Sequence, residues 1–174
     1  MGNFLFDAEK VRLAQMGKLH VLGEPVYGSE IFRQAHSQEH HKHTTVALHS
    51  ERVAAMCLHL ADHLGMTIDE EQVVLAALSH DLGIIGRHEK FKSEMETYLK
   101  HPDDSADIAK ELLGEKYSDT MEDMIRYHMW PISEQAPETK EGFLIMIADK
   151  ICAIQEARYS ITHIRKQLYA WMVG

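Results

Sequence analysis

Cysteine is scarce in this chain, two among 174 residues. Cys57 and Cys152 both stand in apolar, helical-looking stretches, so a disulfide framework is excluded and the pair reads as buried free thiols of a reducing compartment. The opening MGNFLFDAEK has no charged region followed by a long apolar run, and no later stretch approaches the roughly 20 apolar residues of a membrane helix. Its Met-Gly start lacks the Ser or Thr of a myristoylation signal, since Phe6 stands there. A soluble, cytoplasmic protein without a membrane partner is expected. Basic residues are also in deficit, 18 Lys and Arg against 27 Asp and Glu, for a net charge of -9. A nucleic-acid polymer is therefore not an expected partner, because no basic excess is available to neutralise a run of phosphates. Strand-like alternation, internal repeats and low-complexity linkers are absent too. One all-α domain is expected, and 45% hydrophobic content supplies its core.

Histidine, in contrast, is abundant, with 13 residues, and it is the commonest metal ligand at neutral pH. Position decides what that abundance means. Residues 1-43 read as an N-terminal segment of short helices and loops, including a helix near Asp7-Lys18, packed on a body formed by residues 44-174. Thr44 or Thr45 caps a helix whose apolar stripe runs Val46, His49, Val53, Met56, Leu60 and Leu64 until Gly65. Thr67-Ile68-Asp69-Glu70 fits a capping box before VVLAALSHD, which is apolar on nearly all sides, as in a buried central helix, and which Gly83 stops. Pro102 is expected to open a third helix that Gly114 closes. Ser118 or Thr120 starts a fourth that ends before Trp130-Pro131. A fifth runs from about Lys140 through FLIMIADKICAIQEA, and a separate sixth covers Ile161-Met172.

Several polar residues interrupt these apolar faces. His49 breaks a stripe, His80 and Asp81 end an apolar helix, His128 ends another, and Asp149 lies inside FLIMIADKICAI. Taken singly, each has a plain structural reading: a core histidine bonded to a carbonyl, a helix-end histidine beside a solvated aspartate, or an aspartate paired with Arg52 or Arg126. Lys150 is expected to be a poor partner for Asp149, since adjacent helical residues point about 100° apart. Taken together, buried carboxylates beside imidazoles call for a shared cation, because an unpaired buried charge costs several kcal/mol. A metal ion satisfies all of them at once.

The pattern His49, then SHDLG at His80-Asp81, then Asp149 of IADKICAI resembles the HD superfamily of metal-dependent phosphohydrolases. HPDDSA at His101 and YHM at His128 are similar to the additional histidines of its two-metal members, and HDLGIIGRH resembles a small group of single-domain bacterial HD proteins. The likeness spans about residues 43-158. It implies a helical HD-domain fold with the site between central helices. His49, His80, Asp81 and Asp149 would then hold one ion, and His101, His128 and a bridging Asp81 a second. Fe, Mn, Zn or Mg all remain candidates for the divalent metal. The pattern departs at Ile84, where many members carry Lys, at Gly86, where Asp is common in the small group, and at Met129-Trp130-Pro131, which replaces the Gly-Tyr-Pro loop of the cyclic-dinucleotide type.

The implied activity is hydrolysis of a small phosphorylated substrate, a phosphomonoester or phosphodiester and plausibly nucleotide-like, with His80, Asp81 and Asp149 as catalytic residues. The alternatives are a two-iron HD-type oxygenase and a non-catalytic nucleotide-binding module. Arg87, His88 and Lys90, with Lys92, follow the His-Asp pair and are candidate phosphate contacts. His43 is a candidate for lining the site, and Trp130 for stacking on substrate. His36, His40 and His41 read as a solvated cluster, while His20, His59, His63 and His163 read as surface or packing residues. The apolar end of the chain, with Tyr169, Trp171 and Met172, suits packing against a second copy, a homo-oligomer.

Overall fold

The longer helices begin where a short polar side chain can accept a bond from an otherwise unpaired amide. The computed structural model describes residues 7-40 and 44-173, with side-chain surroundings as far as residue 158. His41, His43, His163 and the Tyr169-Trp171-Met172 cluster lie outside what is described at the side-chain level. Asp7 caps α1 (Ala8–Leu22) by accepting from Lys10 N. Two short helices follow, α2 (Glu24–Tyr27) and α3 (Glu30–Ala35), the latter capped by Ser29. Thr45 caps α4 (Val46–Leu64), and Gly65 ends it at φ 63°, a left-handed conformation that glycine adopts without a Cβ penalty. Asp69 caps α5 (Glu70–Ser79).

A single turn of 3-10 helix, Leu82–Ile84, leads to Gly86 at φ 75° and to the short α6 (Arg87–Lys90). Ser93 and Ser118 cap α7 (Glu94–Leu113) and α8 (Asp119–Arg126) in the same way. The last helix, α9, covers Lys140–Val173. Its start is braced by buried Asp123 of α8, whose carboxylate accepts from Glu138 N, Thr139 N and the Thr139 hydroxyl. The described residues contain no strand, only an isolated antiparallel bridge between Glu39 and Thr45. No helix among them is long and apolar enough to cross a membrane.

Several sequence expectations change. Asp69, not the Thr67 of the expected capping box, caps α5, and that helix ends at Ser79, before Gly83, which lies in the 3-10 turn. Pro102 does not open α7; it lies inside that helix, which starts eight residues earlier at Glu94. Ser93 supplies the cap, Glu96 accepts from Lys92 N at 2.7 Å, and the buried face Thr97, His101, Ser105, Ala109, Leu113 runs straight across the proline. Packing of that face outweighs the backbone bond that proline removes. The fifth and sixth helices are one, because no Gly or Pro interrupts the chain between Phe143 and Val173.

α4 occupies the centre, with α1, α5 and α9 packed against it. Its residues Val53 through Leu58 are buried without interruption, on every side of the helix. α8 packs on α5, α7 and α9, while α7 also lies against the Leu82–Ile84 turn. That last contact depends on Gly83. Its amide donates to Ser105 Oγ at 2.9 Å, and a Cβ there would collide with the His101 carbonyl and the Ser105 amide of α7. Gly83→Ala should therefore push α7 from the turn that carries Asp81. A stability loss of about 1-3 kcal/mol is expected from such overpacking, measured by urea unfolding, and wild-type stability in the variant would contradict the close approach.

A buried imidazole-carboxylate centre

Five helices and one turn deliver charged and imidazole side chains to a single buried point. His49 comes from the first turns of α4, His80 caps the end of α5, and Asp81 opens the 3-10 turn. His101 comes from the middle of α7, His128 follows α8, and Asp149 comes from α9. All six are buried.

Asp81 stands at the middle. Its Oδ1 is 3.0 Å from His101 Nε2 and 3.6 Å from His128 Nε2. Its Oδ2 is 3.4 Å from His80 Nε2 and 3.7 Å from His49 Nε2. Asp149 Oδ1 lies 3.0 Å from His49 Nε2.

The outer nitrogens of three rings are fixed by the backbone. His80 Nδ1 donates to Ala77 O at 2.7 Å, His101 Nδ1 to Thr97 O at 2.8 Å, and His128 Nδ1 to Ile125 O at 2.7 Å. A carbonyl only accepts, so each Nδ1 carries a proton, and each Nε2 points inward, where a neutral ring offers a lone pair. His101 Nε2 and His128 Nε2 are then 3.1 Å apart. Two lone pairs at that distance repel unless a proton or cation joins them. His80 Nε2, fully buried, has no hydrogen-bond partner among the described residues. An unpaired buried acceptor aimed at carboxylates, within a set of nitrogen and oxygen donors, fits a divalent transition metal. Three overlapping groups have ligand atoms within 4.8 Å of one another, His49-His80-Asp149, His80-Asp81-His128 and His40-His49-Asp81, and are able to hold an ion.

Some partners differ from expectation. Lys150 does pair with Asp149: its flexible stem curls back to place Nζ 2.9 Å from Asp149 Oδ2 and 2.9 Å from His128 O. Helical direction constrains Cβ, not the end of a four-carbon chain. Arg52 instead binds Glu156 and Glu9, and Arg126 binds Asp103, Asp107 and Glu122. The sequence reading passed over Glu156, yet its Oε2 is 3.0 Å from His49 Nδ1, and Arg52 holds its other oxygen at 3.0 Å. Its signal was available: Glu156 follows Asp149 by seven residues, two turns along one face of α9.

His40 was read as solvated, and that is corrected. Its side chain is 8% exposed, with Nε2 3.1 Å from Asp81 Oδ2. No periodicity marks it, because it precedes α4 in a loop that only the tertiary fold turns inward.

Beside His40 opens a cavity of about 740 Å³, to which Arg87, His88, Phe91, Lys92 and Tyr98 contribute. Lys90 is not part of its lining; its ammonium lies 3.5 Å from both Gly83 O and Asp104. Trp130 also lies elsewhere, edge-on to Phe143 with ring centres 6.4 Å apart.

The charges are set by this crowding. Burial would raise the pKa of Asp81, but His80, His101, His128 and His40 outweigh it and hold the carboxyl well below its usual range. Burial acts likewise on Asp149, where His49 and Lys150 prevail. On His49 burial opposes the proton, yet bonds to Asp149 and Glu156 raise its pKa to about 10. On His80 burial wins against Asp81 and lowers it to about 4.

The model of the HD domain family matches residues 46–154. The chain belongs to that family, whose members are mostly metal-dependent hydrolases. No curated protein and no solved structure matched the chain.

The opposed histidine shifts predict how the metal-free protein responds to pH. The unfolded chain takes a proton on His80 near pH 6.5 that the folded protein refuses until about pH 4, so stability falls as pH drops through that window. His49 keeps its proton up to about pH 10 when folded but loses it near 6.5 when unfolded, so its contribution is complete below 6.5 and lost as pH rises. Denaturant titrations of chelator-treated protein should show maximal stability near about pH 6.5. Added divalent metal should remove the alkaline decline, since it takes His49 as neutral imidazole. A metal-free profile without that maximum would contradict these assignments.

Proposed function

We propose that the protein is a metal-dependent phosphohydrolase acting on a small phosphomonoester or phosphodiester. One observation carries the reading: the two oxygens of Asp81 face two separate groups of imidazole nitrogens, His49 and His80 on one side, His101 and His128 on the other. A carboxylate so placed suits bridging two ions, with Asp149 completing the first group. Divalent ions held there would supply a nucleophilic water near neutral pH and offset charge gathering on phosphate oxygens.

The chain's own residues do the positioning. Glu156 accepts from His49 Nδ1 and thereby aims Nε2 at the centre, as orienting carboxylates do for metal-ligating histidines. Lys150 holds Asp149 Oδ2 and leaves Oδ1 facing His49. Arg87, His88 and Lys92 line the adjoining cavity, where they offer donors to a phosphate group, while Phe91 and Tyr98 give it apolar walls. Phosphate release from a panel of phosphorylated metabolites and model diesters, with Mn, Fe, Zn or Mg added in turn, tests the reading. Turnover of none of them by metal-loaded protein would overturn it.

Stoichiometry separates the two halves of the centre. Elemental analysis after dialysis should find about two ions in the wild type, about one in His101→Ala or His128→Ala, and none in Asp81→Ala with helical circular dichroism retained. A wild type that never exceeds one ion would remove the bridging role from Asp81. In the cavity, Arg87→Ala should raise KM about tenfold with little change in kcat, as expected for loss of a charge-assisted bond made equally in ground and transition states. Lys90→Ala should alter KM less, because its ammonium is turned to Asp104. Equal effects of the two substitutions would contradict the cavity assignment.

A further inference from the structure

His40 stands outside residues 46–154, the segment that the HD domain family model matches. It is nonetheless held firmly against the centre. Glu39 and Thr45 form an antiparallel bridge, His40 N donates to Thr44 O at 3.0 Å, and Val46 N donates to Gln38 O at 3.0 Å. These bonds pinch the chain at the root of α4, the helix that carries His49, so the two histidines are fixed to one another through backbone. Their rings meet edge to face with centres 4.4 Å apart. One ligand atom each from His40, His49 and Asp81 fall within 4.8 Å of one another, a set able to hold an ion. The same ring lines the cavity that Arg87 and His88 enter.

The geometry points to His40 as a further protein ligand of the ion shared by His49 and Asp81, placed where the centre opens into the substrate cavity. This assignment rests on the metal-dependent reading above. A hydrogen bond from His40 to Asp81 alone would leave the unpartnered Nε2 lone pair of His80 3.4 Å from that same oxygen, two electron-rich atoms with nothing between them. An ion held there would take up these lone pairs and offset their repulsion. The N-terminal segment would thereby contribute a ligand to the centre, from a residue that also lines the cavity.

The test is a Co(II) titration of the metal-free chain, read by visible absorption and by the dissociation constant, for wild type, His40→Ala and His40→Gln. Glutamine retains an N–H for Asp81 but is a poor ligand for a transition metal. Both variants should bind one Co(II) at least about tenfold more weakly and show an altered visible band, with wild-type helical content. If His40→Gln matches wild type in affinity and spectrum, His40 is a hydrogen-bond donor only and the assignment is overturned. The same conclusion follows if both variants match wild type while wild type takes up Co(II). A wild type that takes up no Co(II), Mn(II) or Fe(II) overturns the metal-dependent reading itself, and this inference with it.

Discussion

The structure depends on the cost of burying carboxylates among helices. Asp81 and Asp149 sit in a core where an isolated ionised group would be unfavourable by several kcal/mol. Neither is left alone. Five histidine rings approach Asp81, of which His49 also engages Asp149 together with Lys150. The helices arrive from different directions because the charge has to be surrounded, and this requirement fixes α4, α5, α7, α8 and α9 relative to one another. The proposed metal chemistry would grow out of the same electrostatic demand that shapes the core.

Around this centre lies an ionic chain that reaches the beginning of the protein. Glu156 contacts His49, Arg52 joins Glu156 to Glu9, and Arg12 joins Glu9 to Glu51. Arg12 and Arg52 keep 15% and 18% of their side chains exposed, each standing between the more exposed Glu9 and a deeper carboxylate, Glu51 or Glu156. Helix α1 therefore contributes to the setting of His49 through charge as well as through the apolar surface of Ala8, Val11 and Leu19.

What could be read from sequence followed local rules, and what escaped it was long-range. Gly65, and Thr45 and Ser118 as one of two candidates each, mark helix ends through bonds within a few residues of themselves, so these roles were visible in the chain, whereas the capping box pointed to Thr67 and Asp69 takes the cap. The HD pattern was visible because each of its members interrupts an apolar face. Pro102 misled because its local effect is outweighed by a buried face whose continuity depends on the Asp81 turn, α8 and Gly83. His40 offered no interruption to notice, since its burial arises from a loop folding back on α4. The expected indifference of Lys150 to Asp149 failed for a simpler reason: direction at Cβ does not limit where a long side chain ends.

Three inward-facing rings are moored to main-chain oxygens, those of Ala77, Thr97 and Ile125. Every amino acid supplies such an oxygen. The orientation of His80, His101 and His128 consequently places no demand on the chemical identity of the residues that anchor them, only on the path of their helices. Neighbouring positions are free to drift over evolutionary time so long as that path is kept, and a centre of this kind can persist in chains whose surrounding sequences have lost all likeness.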